Sequence, residues 1–319
     1  MTPNRAAEGG RSGRGRGLWI GLAALVVPTL AVPVPAGAQE IEPRAFSNAP
    51  IGVNFLVGGY AFTRGSLSSD TSAPITDAQL HTSNALAGYG RVFDLWGQSA
   101  KFDISIPYVW LGGMAQYAGQ PLQRTVAGAG DTMVRVSVNW FGAPAMSLEE
   151  FRDYHQNVIV GTSLAITAPT GQYDDTRVVN IGTNRWSIRP VLGISKQVDQ
   201  LTAEIAAGPI IFTDNGDFYG GHTRTQKPIY LTTGHLLYNF PYGIWTSLDI
   251  VYFTGGQSSI NGKWNQDLQK NWRVGGTVSF PLNKNYSVKL FGSGGVSART
   301  GNNYSLIGIL LQYRWGAGL

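Results

Sequence analysis

The chain holds four histidines, His81, His155, His222 and His235, and no cysteine. Only His235 falls in a strand-like stretch, and no two histidines have the spacing of a metal site. Ser247 or Ser279 could supply a hydroxyl beside His235, but nothing in their spacing fixes the geometry that nucleophilic catalysis needs. Asp174 and Asp175 form a solvated acidic pair, with a Ca²⁺ site as the minor alternative. The Gly-rich stretches lie inside strands rather than between a strand and a helix, so no phosphate-cradling loop is present. The sequence therefore predicts no catalytic residues, no metal and no cofactor.

The remaining chemistry is electrostatic. Arg91, Lys101, Asp103, Arg135, Arg189, Glu204, Asp249, Arg273, Lys289 and Arg314 lie in stretches where apolar and polar residues alternate. Side chains switch faces at every strand residue, so each stretch has one apolar and one polar face. All ten charges are assigned to the polar face. They line either a braced interior or a pore that favours anions, and the excess of bases over acids leaves both readings open.

Which face meets water follows from composition. Only 13% of the 319 residues are charged, against about 25% in ordinary soluble chains. With 42 Gly and 16 Pro, long helices are disfavoured. The mean hydropathy of −0.06 does not suit a helical membrane bundle. The polar faces carry Gly, Ser, Thr and Asn rather than Lys and Glu. Trp110, Trp140, Trp186, Phe280, Tyr313 and Trp315 mark strand ends, as in the aromatic girdles of membrane barrels. A closed barrel also pairs every backbone group, which hydrocarbon demands.

We expect an all-β, antiparallel up-and-down transmembrane barrel of about twelve strands, of the Gram-negative outer-membrane type. The strands fall near 51–63, 82–92, 100–111, 131–141, 157–168, 185–196, 201–213, 228–239, 244–254, 271–280, 286–298 and 303–315. Long connections (64–81, 112–130, 169–184, 214–227, 255–270) alternate with tight ones, which places the long set outside the cell. Two connections break the scheme: 299–302 is short, and 142–156 is long. In the latter, Ser147 and Glu150 form a capping box.

Residues 1–38 read as a signal peptide: Arg5, Arg11, Arg14 and Arg16, an apolar run from Leu18 to Val34, then Ala36-Gly37-Ala38. Cleavage would leave 39–319 as a single barrel domain. The four leader arginines account for much of the basic pI of 9.4, so a nucleic-acid partner is not expected. The expected partners are outer-membrane lipid and a small solute.

The stretch Thr167–Lys196, TAPTGQYDDTRVVNIGTNRWSIRPVLGISK, resembles the outer-membrane family of the meta-pathway of phenol degradation. Supporting segments are PIGVNFLVGGY (50–60), GAPAMSLEEF (142–151), WTSLDIVYFTGG (245–256) and YRWGAGL (313–319). The resemblance implies an outer-membrane transporter barrel for aromatic or other hydrophobic compounds. Within the motif, Pro169, Thr170 and Gly171 supply turn chemistry. Gly182 lies in the same loop, and Asn180, Asn184 and Arg185 offer donors that could hold it, with Trp186 at the outer interface. The loop either folds inward and narrows the pore, or only braces the rim. Tyr173 and Tyr117 could stack a planar ring or serve as interface anchors.

The expected function is passive uptake of small aromatic, hydrophobic or anionic compounds through an outer-membrane channel. The alternatives are a lipid-modifying enzyme with His235 as base, and a closed structural barrel.

Overall fold

The computed structural model describes residues 43–66, 75–117, 119–299 and 303–319. The signal-peptide assignment lies outside these residues. In chain order the strands are β1 Val53–Ser66, β2 Ile75–Leu95, β3 Gln98–Tyr117, β4 Gln120–Ala129, β5 Thr132–Phe141, β6 Val158–Ala168, β7 Ser187–Val198, β8 Leu201–Phe212, β9 Asn215–Phe218, β10 His222–Gln226, β11 Ile229–Asn239, β12 Trp245–Gly255, β13 Ser258–Ile260, β14 Lys263–Trp264, β15 Gln269–Pro281, β16 Tyr286–Ala298 and β17 Asn303–Gly316. Sequential antiparallel pairing runs round the wall. It closes where β1 meets β17, in unbroken register from Val53↔Gly316 to Ser66↔Asn303. β3 pairs β4 along its upper half and β5 along its lower half, so β4 and β5 act as one stave. The result is the expected closed, twelve-stranded antiparallel barrel. Closure of β1 on β17 removes the open edge that a lipid-embedded sheet cannot tolerate, while β4, at the long-loop end, pairs with β3 alone among the described residues.

Leu56, Ile106, Leu164, Leu192, Ile205, Leu248, Leu290 and Ile307 are exposed on the outer wall. The inward parity carries the polar residues, among them Asn84, Ser105, Ser195 and Thr277. At the short-turn end the outer rings meet in pairs: Trp96 with Trp140, Tyr238 with Phe240, and Tyr286, Tyr313 and Trp315 in a row. At the long-loop end lie Tyr108 with Trp110 and Tyr252 with Trp272. The two belts fit the two interfaces of a bilayer.

Several of the expected long loops are themselves β structure. Residues 112–117 and 120–129 extend the barrel wall as paired β3 and β4. The hairpins β9–β10 and β13–β14 join through β10 and β13 into a four-stranded sheet above the long-loop end.

Residues 43–50 enter the lumen at the short-turn end. Phe46 is buried with Ala143 and Ile159. The atypical connection 142–156 receives this segment: Asn48 donates to the Pro144 carbonyl, and the Ile51 amide to that of Met146. The capping box forms as expected. The Ser147 amide and hydroxyl both donate to Glu150, whose own amide donates back to the Ser147 hydroxyl, ahead of a short 3-10 turn at Glu150–Asp153.

Candidate functional site

The lumen is a composite of paired charges and apolar surface. Asp103 and Arg135 stand opposite each other on β3 and β5. They form a two-point ion pair, Nε to Oδ2 at 3.0 Å and NH2 to Oδ1 at 2.9 Å. Such forked pairing is the strong form of the interaction. His235 stands between two acids in register, Glu204 on β8 and Asp249 on β12. Its Nδ1 lies 2.8 Å from Asp249 Oδ1, and Asp249 Oδ2 accepts the Ser247 hydroxyl at 2.9 Å. That hydroxyl is bonded to the acid, whereas a nucleophile would be bonded to the imidazole.

Glu204 accepts the backbone amide of Arg44 at 2.7 Å. The Arg44 guanidinium bonds Asn239 and lies 4.9 Å over the Trp245 ring, with the Lys289 ammonium 5.7 Å from the same ring. Burial pushes the Arg44 pKa down to about 10, against the opposing pull of Glu204, so it stays cationic at neutral pH. Arg273 donates to the Tyr304 carbonyl and to Ser293, and lies 3.8 Å over the Tyr304 ring. Arg314 donates to the Lys284 carbonyl. Lys101 is buried at the inward parity, and Arg189 is half-buried there.

Arg91 departs from the expectation that all ten charges face inward. Val92 and Leu86 are buried inside, and Arg91, of the opposite parity, is exposed on the outer wall opposite Asn54 and Phe102. It lies near the short turn at Trp96-Gly97, where a long cationic side chain can reach the interface. Next to Arg91 the inward face of β2 carries Leu86, Gly88, Gly90 and Val92 rather than polar residues, so alternation alone gives no contrast there.

The inner wall is also more apolar than the sequence suggests. Val53, Phe55, Val57, Leu86, Val92 and Leu310 form one buried cluster with Ala49 of the inserted segment. Ile210, Ile229, Leu231, Val251 and Phe253 form another towards the long-loop end.

The motif loop folds inward at that end. Its anchor is Asp131, in the break between β4 and β5. Asp131 Oδ1 accepts the Gly171 amide at 2.9 Å, and Oδ2 accepts the Thr183 amide and hydroxyl at 2.9 and 2.7 Å. The two ends of the loop are thus tied to one carboxylate. Gly171 and Gly182 touch backbone to backbone, leaving no room for a Cβ at either. Thr170 follows Pro169 and bonds Thr132 across the base. Asn180 closes an inner turn, donating to the carbonyls of Asp174 and Arg177 and accepting the Asp174 amide.

Asn184, in the left-handed region at φ 52°, bonds Asn215 of β9, and Asn215 donates to the Tyr173 hydroxyl. Burial raises the Tyr173 pKa, opposed by that hydrogen bond. Arg185 is buried, bonds Gln226 of β10 and lies 4.2 Å over Phe212; burial lowers it to about 10. Trp186 is exposed on the outer wall. The Tyr117 side chain lies outside the described residues.

This frame places Val179 and Ile181 against Leu80, Val109, Leu111 and Tyr304, all buried. The loop thus sets two apolar side chains against the inner wall at the mouth. Asp131, Arg44 and Phe46 were not among the sequence candidates. A carboxylate directly after Gly130 at a strand break was the only available signal for Asp131. Among the described residues no group of His, Asp and Glu is arranged to hold a metal.

The fold resembles the COG4313 outer membrane channel from Pseudomonas putida F1. The TM-score is 0.72 at 16% identity, over 86% of this chain and 100% of that one. Looser matches are the transport unit of the autotransporter AIDA-I from Escherichia coli (TM-score 0.46, 9% identity, 83% and 90% covered) and the KdgM porin (0.42, 12%, 81% and 98%). No curated protein matches the sequence. The model of the family described as "Putative MetA-pathway of phenol degradation" matches residues 52–313, which takes in the motif loop and all of the wall but the last three residues of β17, and the chain belongs to that family.

Proposed function

We propose that this barrel is an outer-membrane channel for passive uptake of small aromatic or otherwise hydrophobic compounds. The observation that carries the reading is the apolar mouth, where Val179 and Ile181 meet Leu80, Val109, Leu111 and Tyr304. A water-filled pore for ions has no use for such a lining, whereas an apolar solute exchanges like for like along it. Family membership and the channel named in the fold comparison support the same reading. The inward charges serve to hold the wall and the inserted segment, since Asp103 meets Arg135, Asp249 meets His235 and Glu204 meets Arg44. Anionic aromatics are then carried for their rings rather than selected for their charge. The protein acts in the outer membrane, with its long loops outside.

Planar-bilayer recording tests this reading. Neutral and anionic aromatics of one size should interrupt the ionic current with similar dose dependence. A strongly anion-selective current that neutral aromatics leave untouched would refute it.

A further inference from the structure

The outer wall carries a polar notch that the transport reading does not use. It has a volume of about 540 Å³ and is lined by Phe62, Arg64, Gly65, Gln79, Leu80, His81 and Asn303. It lies at the long-loop ends of β1, β2 and β17. Arg64 and His81 are directly opposite each other on β1 and β2, and both are exposed at the outward parity.

Depth along the wall is set by neighbouring rings. Tyr60, Phe62 and Trp110 are exposed on the same outer face, and the Tyr60 hydroxyl bonds Ser83, which stands opposite Trp110. These rings mark the edge of the hydrocarbon. Arg64 and His81 are each the next outward residue beyond that belt, so their polar groups lie at headgroup level. Gly112, opposite His81 on β3, has no side chain, and the imidazole lies over it; a Cβ there would stand 2.9 Å from His81 Nε2. The glycine thus makes room for the ring on the wall. Among the described residues no carboxylate lines the notch. Among the described residues neither Arg64 nor His81 forms an ion pair.

We infer that this notch binds a phosphate group of a lipid in the outer leaflet, specifically a phosphorylated glycolipid headgroup of the lipid A type. The fork of Arg64 suits a phosphate, His81, Gln79 and Asn303 supply further donors, and Phe62 covers the first acyl carbons. A bilayer lipid is favoured over a free anion because Arg64 and His81 face outward, one pleat beyond the aromatic belt, with Phe62 beside them.

The test uses the protein purified in detergent, with heat-modifiable electrophoretic migration as the check on folding. Binding is measured by native mass spectrometry for bisphosphorylated lipid A, for its dephosphorylated form, and with inorganic phosphate as competitor. The expected result is a preference of roughly tenfold or more for the phosphorylated lipid, unaffected by inorganic phosphate. The preference should be lost in R64Q/H81Q and reduced less in R64K, which keeps the charge without the fork. Gly112→Val, which displaces the imidazole without altering charge, should weaken it as well and serves if the double variant does not fold. Equal binding of the two lipids, a preference that survives in both R64Q/H81Q and Gly112→Val, or displacement by inorganic phosphate would overturn the assignment.

Discussion

The Phe46 ring occupies the space that a side chain at Gly193 would need, so the inserted segment and the β7 wall fit only because position 193 is glycine. Gly161 on β6 makes a second such contact. The ring thereby fastens residues 43–50 inside the lumen, with Arg44 fastened separately through Glu204 and Asn239.

Phe46→Ala should weaken docking of this segment by about 3–5 kcal/mol, the usual cost of emptying a phenylalanine site. Gly193→Val should act in the same direction by steric exclusion. Both variants are expected to raise single-channel conductance while the wall keeps its heat-modifiable migration. Unchanged conductance in both would mean that the segment does not restrict the lumen.

At the opposite end Asp131 holds the motif loop by three hydrogen bonds. Bonds to a charged group are worth about 1.5–3 kcal/mol each. Asp131→Asn should therefore release the loop before it harms the barrel, seen as new protease cleavage between residues 170 and 185. Cleavage at the parent rate would show that the Val179 and Ile181 packing alone suffices.

The wall makes a sharper prediction about faces. Val160 is outward and Ser163 inward on β6. Val160→Arg should cost about 2–4 kcal/mol in folding into bilayers, depending on depth. Ser163→Arg should cost less. Equal losses in urea titrations of refolding would contradict the parity.

Breaking one half of the lumenal ion pair should be costly. Asp103→Asn leaves Arg135 buried without its counter-charge, a loss of about 3–5 kcal/mol. The double change Asp103→Leu with Arg135→Met should recover most of it. The same urea titrations measure both.

Acid should loosen the motif loop at a definite point. Two hydrogen bonds from Thr176, aided by Arg124 and Arg177, hold the Asp174 carboxyl below its ordinary range. A lowered folded pKa gives stability that is intact above the unfolded value and lost as pH falls through the folded one. Amide exchange in residues 174–180 should accelerate only on strong acidification, and Asp174→Asn should remove that dependence. Exchange that accelerates well above the carboxylate range would assign it to another group.

Much of this architecture was legible in the sequence because a period of two leaves little freedom. Phe102, Ile104, Ile106, Tyr108 and Trp110 have to share a face, and the apolar face has to meet lipid. The same rule failed where contrast was lacking. In β2, small residues such as Ala85, Ala87, Gly88 and Gly90 occupy both faces, so alternation does not tell which face Arg91 takes. In β1 the run Phe55-Leu56-Val57 is apolar on both faces, which hid the inner cluster. β10 reads His222-Thr-Arg-Thr-Gln226, with no apolar alternation to mark a strand, and takes its place by pairing with β9 and β13 and by long-range bonds such as Arg185 to Gln226. Residues 43–50 have no periodicity, and their place depends on glycines more than a hundred positions away.

The most direct test of the central claim is the rate at which a neutral fluorescent polyaromatic crosses vesicles with a lipopolysaccharide outer face, with and without the protein. The account predicts faster entry with the protein, faster still with Phe46→Ala, and slower entry when charged side chains replace Val179 and Ile181. Entry at the rate of protein-free vesicles in every case would contradict it.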